Sequence, residues 1–573
     1  MVRINRRDIS SEPLVGGEHL PPLIQRIYRA RGIKHVSQIQ YSLKHLNHAD
    51  AMPGIDRAAD LIIDAMGQHK KIYIVGDFDA DGATATALMV RVLRQVGATC
   101  VDYMVPNRFD YGYGLSQGLV DELASRDCEF IITVDNGISS IAGVQKARDL
   151  GMQVVITDHH LPPAELPQAD AIVNPNLANS EFGSPCLAGV GVAFYVLTRI
   201  ISQLKNNKKY PQLEPSDVQL SHFLDLVALG TVADVVPLDH NNRILIEAGL
   251  KRLRNGTGNL GLLALCEVAG CDYKRADAQM LAFMLAPRLN AAGRLQDMQI
   301  GIELLLTNQY EQAQSLAQEL NTINRERKAI QSNMQKMADS VIKTLQKDNN
   351  LSAAVCIYHR RWHQGVVGLL ASKVKEYTQR PVVAFADEGE DSDWVKGSAR
   401  SIEGLHIRDA LVAVDQQNPG LIKKFGGHAM AAGLTLKKAH MAEFKQQLCQ
   451  VVIAWVKDLP DHQQIISDGA VPVDDLSLFM AQQLVDAGPW GAGFEAPLFD
   501  DYFIVKDKKP VAEIHTRLRL QTMDLSKQVE AIAFNFIPQQ FPDPEEKVHV
   551  CYQMQVNEFR NRQRLQLLIR HLV

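Results

Sequence analysis

Between Lys71 and Pro175 the chain repeats one pattern: a short apolar run, a polar turn, then a segment with helical spacing. The apolar runs are KIYIVGDF, VDYMVP, FIITVD, VVITDH and AIVNP. Runs that do not alternate are typical of strands buried on both faces, so the pattern predicts a parallel sheet with crossover helices. Three runs end on acidic residues, Asp77, Asp135 and Asp158. Open α/β sheets bind ligands at the carboxyl ends of their strands, and the three acids are expected to converge there.

Beyond this unit the pattern changes three times. Val218 to Ala286 reads as several short helices separated by Gly and Asn turns. From about Gly301 to Gln346 the chain has no Gly or Pro after Gly301 and is rich in helix formers, which predicts one long helix, or two collinear ones, acting as a spacer. A second α/β unit follows, with apolar runs AAVCIY (353–358) and PVVAFA (381–386), then VKGSARS and a Gly-rich segment FGGHAMAAG (425–433). In the last hundred residues DYFIVKD, IHTRLRLQTM, EAIAFNF and VHVCYQMQV favour strands with partial alternation, which predicts a small β-barrel.

The 573 residues suffice for about three to five domains. With 46% hydrophobic and 22% charged residues, the composition excludes a disordered tail, a collagen-like fibre and a disulfide scaffold. The eight cysteines form no C-x-x-C pair, which argues for reduced thiols and against a zinc ribbon. The charged start MVRINRRDISSEP does not resemble a secretory signal, and no run of about 18 apolar residues occurs, so the chain reads as soluble and cytoplasmic. The formal net charge of -5 gives no global sign of nucleic-acid binding, so any such site must be locally basic.

The strongest chemical signal is VGDFDADGATATAL, where Asp77, Asp79 and Asp81 alternate past a strand and Gly82 opens a helix. Three carboxylates this close repel one another, and a divalent cation is the usual compensation. A calcium loop would need a bidentate Glu at its twelfth position, where Leu88 stands. An aspartyl nucleophile of the haloacid-dehalogenase type would prefer Thr or Val where this chain has Ala83. In VVITDHHLPP, His159 and His160 follow Asp158, an acid able to orient an imidazole from behind a metal. FIITVDNGISS adds Asp135 and Asn136, and LVALGTVADVVPL adds Asp234, which alone would read equally well as a helix-end cap. The mix of carboxylates and imidazoles suits Mn²⁺ best, with Zn²⁺, Fe²⁺ or Co²⁺ possible and Mg²⁺ a weaker fit. So many candidates exceed one ion's needs, and two ions about 3.5–4 Å apart would suit hydrolysis of a phosphate ester or anhydride.

DxDxDG, VDNG, DHH and GTVADVVPL, in this order, resemble the DHH phosphoesterase superfamily, and GGHAMAAG in the second α/β unit resembles its DHHA1 domain. PNRFDYGYGLS, LAGVGVAF, APRLNAAGRL, WHQGVVGLLASK and KGSARS, with the β-rich end, narrow the resemblance to the RecJ family of exonucleases over nearly the whole chain. The resemblance implies an N-terminal segment over 1–50, a DHH domain over 51–295, a connecting long helix over 296–350, a DHHA1 domain over 351–460 and an OB-like nucleic-acid-binding barrel over 461–573. It also implies that Asp79, Asp81, Asp135, His159 and Asp234 hold metal, with Asp135 as the bridge, and that His160 is a ligand or touches the scissile phosphate. Many superfamily members have His where this chain has Val75; either Asp77 fills that gap or one ion binds more weakly. Arg108, Ser398, Arg400 and His428 would hold phosphates, the first three around the 5′ end. Arg288 and Arg294 would do so too or serve as structural arginines, and His363 is a further candidate for substrate contact.

The expected activity is metal-dependent hydrolysis of single-stranded DNA from the 5′ end to mononucleotides, in repair and recombination. The ions are Mn²⁺ by preference or Mg²⁺, the protein is a monomer, and single-strand-binding protein and a helicase are partners by resemblance alone. Two alternatives remain: a phosphatase or oligonucleotide phosphodiesterase of the same superfamily, and an inactive DNA-binding scaffold. Two divalent ions would bring about +4 against the five acids Asp77, Asp79, Asp81, Asp135 and Asp234. DNA affinity would then rest on local basic patches such as Arg560 to Arg570 and fall steeply with salt.

Overall fold

The computed structural model describes residues 3–106, 114–215, 217–347, 352–389, 392–456, 464–512, 514–559 and 562–573. The chain divides into two compact units, one built on Ile323–Ile465 and the other comprising Asn5–Thr322 with Ile466–Val573. Strand β1 (Arg3–Arg6) and, much later, β12 (Gln464–Ser467) stand where the chain passes between them.

The larger unit contains the expected parallel sheet. Its strands are β2 (Ile72–Val75), β3 (Val101–Met104), β4 (Phe130–Val134), β5 (Gln153–Thr157) and β6 (Ala171–Val173), in the order β3-β2-β4-β5-β6. All four pairings are parallel. Tyr73, Val75, Ile131, Val154 and Ile156 pack under helices Gln117–Ser125 and Ile141–Asp149. The intervening Ile74, Ile132 and Val155 are equally buried, so both faces are covered and the runs lack polar alternation. Because β2 lies between β3 and β4, the chain leaves the carboxyl ends of β2 and β4 in opposite directions along the sheet. That switch of direction opens a crevice at the strand ends.

Helices Leu224–Ala233, His240–Arg254 and Leu260–Ala269 fill the region expected to hold short helices. The long helix is Tyr310–Lys347, 38 residues. It does not begin at Gly301: a separate helix, Gln299–Leu306, ends at Thr307, whose hydroxyl accepts the N–H of Gln309 and interrupts the run. The helix after β2 likewise begins at Ala80, not Gly82, because Asp79 caps it.

In the smaller unit β7 (Val355–Tyr358), β8 (Val382–Asp387), β9 (Trp394–Arg400), β10 (Lys424–Gly427) and β11 (Ala431–Lys437) form one sheet in the order β10-β11-β9-β8-β7. Only β7 and β8 pair in parallel. FGGHAMAAG, expected as a Gly-rich segment, is a hairpin between β10 and β11. The C-terminal barrel is closed by β13 (Phe499–Val511), β14 (His515–Thr522), β15 (Gln528–Ala533), β16 (Lys547–Phe559) and β17 (Arg562–Leu572), in the order β13-β14-β15-β17-β16. This is the five-stranded OB arrangement. The basic tail is its last strand, with Arg562, Arg564 and Arg570 exposed; Arg560 lies outside the described residues.

From Asn5 onward the N-terminal segment belongs to the same unit as the barrel. Arg31 makes two bonds to Asp468, Nη1–Oδ1 at 2.8 Å and Nη2–Oδ2 at 3.1 Å, with side chains only 1% and 3% exposed. Arg6 binds Asp500 in the same forked way, and the Tyr28 hydroxyl donates to the Ala487 carbonyl.

Candidate metal centre

After β2 the chain runs through Gly76, Asp77, Phe78 and Asp79 into helix Ala80–Val96. Asp79 is extended, and its Oδ1 accepts the N–H groups of Asp81 and Gly82 at 2.9 and 3.1 Å. An acid at a helix N-terminus is favoured by both the orphan donors and the dipole. Asp81 is 1% exposed and caps a second helix, Gly189–Leu204, accepting from Gly189 N–H at 2.6 Å and Val190 N–H at 2.9 Å. Position 189 must be glycine, because a Cβ there would stand 2.4 Å from the Cβ of Asp135.

Asp135 follows β4 with φ at 62° and is 2% exposed. The neighbouring Asn136 ties the two central strands, donating to the carbonyls of Val75 and Val134. Past β5, Asp158 accepts the N–H groups of His159, His160 and Ile138 and lies 2.7 Å from Nδ1 of His160. Burial alone would raise the Asp158 carboxyl, but the His160 bond and the two imidazoles hold it down at about 2. Burial opposes the charge on His160 as well, and the same bond overrides it, raising the imidazole to about 9. The ring of His160 is thus oriented through Nδ1.

His159 behaves differently. Burial lowers its pKa, favouring the neutral ring that binds metals. Its Nε2 lies 3.0 Å from Asp135 Oδ1 and 3.5 Å from Asp234 Oδ2, yet makes no hydrogen bond among the described residues. Asp234 is the C-cap of helix Leu224–Ala233. A negative charge at the carboxyl end of a helix opposes the dipole, so the capping role does not account for this residue, whereas a cation in front of it does.

The seven acids and histidines come together in overlapping groups whose donor atoms lie within 4.8 Å of one another: Asp135 with His159 and His160, Asp81 with His159 and Asp234, and Asp77 with Asp79 and Asp135. Burial first, then mutual repulsion with the neighbouring acids, pushes the carboxyls of Asp81 and Asp135 well above their usual range; Asp234 is raised mainly by burial. Carboxyls raised in the folded state stabilise it at low pH, and that contribution is lost as pH rises through their folded values. The metal-free protein should therefore melt at progressively lower temperature as pH rises above the ordinary carboxylate range, and Mn²⁺ should restore more at the higher pH. Melting curves with and without Mn²⁺ check this; a metal-induced gain that shrinks as pH rises would contradict it.

Arg108 lies outside the described residues. Arg288 is buried, with Nε 3.1 Å from Asn321 Oδ1 and a further bond to the Met284 carbonyl, contacts that suit the structural alternative. Arg294 is half-buried on the same helix, Ala286–Leu295. In the smaller unit, Ser398 and Arg400 project from one face of β9, with Arg400 Nη1 3.0 Å from Ser398 Oγ and Nε 3.1 Å from Ser372 Oγ. A Cβ on Gly368 would fall 2.8 Å from this guanidinium, so the first turn of helix Val367–Thr378 lies against it. Nδ1 of His363 accepts the N–H of Gly365, and His428 is exposed at the β10–β11 turn.

The sequence pattern does not single out Asn174 and Asn176 of AIVNPN, whose amides hold the carbonyls of His160 and His159. It also passes over Asn290, which bonds the loop after β2. Their only local signal is Asn just past a strand or within a helix, where Asn has no propensity reason to stand.

The family model of the DHH family, N-terminal domain, matches residues 71–231, that of the DHHA1 domain residues 348–458, and that of the RecJ OB domain residues 467–571. The single-stranded-DNA-specific exonuclease RecJ of Escherichia coli is 43% identical over 570 residues, covering 99% of this chain and 98% of that protein. Among solved structures, RecJ from Thermus thermophilus in complex with Mn²⁺ matches with a TM-score of 0.81 at 27% identity, covering all of this chain and 79% of that one. Its complex with Mg²⁺ matches with a TM-score of 0.76.

Proposed function

The chain belongs to the RecJ family of single-stranded-DNA-specific exonucleases and carries that activity, and we propose that it degrades DNA from the 5′ end at the acid–histidine cluster described above. One observation carries the reading: seven side chains from the ends of β2, β4 and β5 and from helix Leu224–Ala233 meet at the switch point of the sheet. The donor set of carboxylates and imidazoles fits divalent cations, and Mn²⁺ better than Mg²⁺.

Asp79, Asp81, Asp135, His159 and Asp234 would hold such ions, and Asp135 is common to two of the three groups. Val75 is buried within β2 and offers no donor, and Asp77, grouped with Asp79 and Asp135, would supply one. Bound divalent cations supply Lewis acidity, making water a nucleophile near neutral pH and drawing charge from the scissile phosphate. The protein's own groups do the rest. Asp158 fixes the ring of His160 so that Nε2 can donate to a phosphate oxygen. Asn136 and Asn176 lock the backbone that carries Asp135 and His159.

Ser398 and Arg400 hold the 5′ phosphate, the fork of the guanidinium matching its oxygens. Arg400→Ala should reduce the preference for 5′-phosphate over 5′-hydroxyl ends by about tenfold, more than it reduces turnover of 5′-hydroxyl ends. Competition between the two substrates measures it, and an unchanged ratio counts against the pocket. Polarity itself is tested with single strands labelled at one end and digested in Mn²⁺. Early release of the 5′ label as mononucleotide is expected, and early release of the 3′ label would overturn the direction.

A further inference from the structure

The first N–H groups of helix Ala80–Val96 have no partner within the helix. Asp79 Oδ1 takes those of Asp81 and Gly82, and Asn290 Oδ1 takes that of Ala80 at 2.8 Å from a helix 210 residues further along the chain. The same helix, Ala286–Leu295, touches the loop at a second point. A Cβ on Gly293 would stand 1.8 Å from the Phe78 carbonyl oxygen, so the helix backbone lies directly against it. Phe78 and Ala80 flank Asp79, and the two contacts grip the chain on either side of that carboxylate. Asn is a weak helix former, so propensity gives no reason for it in mid-helix at a half-buried position. The helix is itself braced, since Arg288 bonds Asn321 of the long helix Tyr310–Lys347. A contiguous line of contacts therefore leads from the long helix to the loop after β2.

We propose that Asn290 is a positioning residue of the metal site, holding the Ala80 N–H so that Asp79 keeps one oxygen on the helix N-terminus and the other available to a cation. This rests on the reading of Asp79 as a metal ligand. Without the Asn290 acceptor, the Ala80 N–H competes for the Asp79 carboxylate and draws it away from the cation. Outer groups of this kind typically set metal affinity rather than substrate affinity.

The experiment is a calorimetric titration of the full chain with Mn²⁺, without DNA, on the unmodified protein, Asn290→Ala, Asn290→Asp and Asp135→Asn. Asn290→Ala should weaken Mn²⁺ binding about tenfold or more, while the metal-free melting temperature and the KM for single-stranded DNA at saturating Mn²⁺ stay unchanged. Asn290→Asp keeps the acceptor and should bind Mn²⁺ at least as well as the unmodified chain. If the Ala variant fails to fold, Asn290→Leu, close in size and without the acceptor, replaces it. Unaltered Mn²⁺ affinity in the variant lacking the acceptor, or equal losses in it and Asn290→Asp, overturns the role of Asn290. If Asp135→Asn also binds Mn²⁺ normally, the metal-site reading itself falls; if it loses binding while Asn290→Ala does not, only the present inference falls.

Discussion

Asp135→Asn leaves a folded protein that releases nucleotides in Mn²⁺ at least about a thousandfold more slowly, a loss of about 4 kcal/mol of transition-state stabilisation. The substitution isolates charge from shape. At φ 62° most side chains are strained, but Asn tolerates the left-handed region as Asp does, and Asn fills the same space beside Gly189. What is lost is the carboxylate shared by two of the three donor groups. His159→Ala should be comparably severe, because its Nε2 sits between Asp135 and Asp234. Circular dichroism and a melting curve establish folding, and single-strand digestion gives the rate. Retention of more than a small fraction of activity by either variant would remove the assignment of these residues.

Arg31→Met destabilises the protein by about 3–5 kcal/mol, the usual cost of leaving one partner of a buried ion pair behind. Asp468 would be left beneath the surface with the Leu498 N–H as a donor and only the Arg7 guanidinium, 3.7 Å away, as a cation. Arg31 also donates to the carbonyls of Glu495 and Ile27 and lies over the Trp490 ring at 5.2 Å, so its removal opens packing as well. Arg31→Lys should recover little, since an ammonium cannot make the paired bonds to both carboxylate oxygens. Denaturant melts followed by tryptophan fluorescence measure the loss, and a change below about 1 kcal/mol would mean that the pair behaves like an exposed one.

Much of this molecule is legible from local pattern. The five apolar runs became the five strands of the parallel sheet because burial on both faces leaves a plain signature. Four of the barrel strands show partial alternation; the fifth, Arg562–Leu572, reads almost equally as a basic surface or a barrel strand, because its arginines sit on the solvent face. In the site, the acids and histidines that directly follow strands were readable because the end of a buried strand fixes where the next residues stand. Asp234 was ambiguous, since a helix end is an ordinary place for a cap, and only the sign of the dipole argues otherwise. Asn290 was invisible, because its bond to Ala80 spans 210 residues. The same holds for the pairing of Arg31 with Asp468, which spans 437 residues.

That last pairing has a consequence in time. Arg31 meets Asp468, which lies 437 residues later in the chain. At synthesis rates of about 5–20 residues per second, roughly 20–90 s pass after Arg31 leaves the ribosome before its partner exists. For that interval the segment carrying Arg6, Arg7, Arg26 and Arg31 has none of the acids or carbonyls of 468–500 to bind. Closure of the larger unit is thus a late event of synthesis, and a chain stopped before Asp468 lacks the acids that Arg6, Arg7 and Arg31 bind in the finished fold.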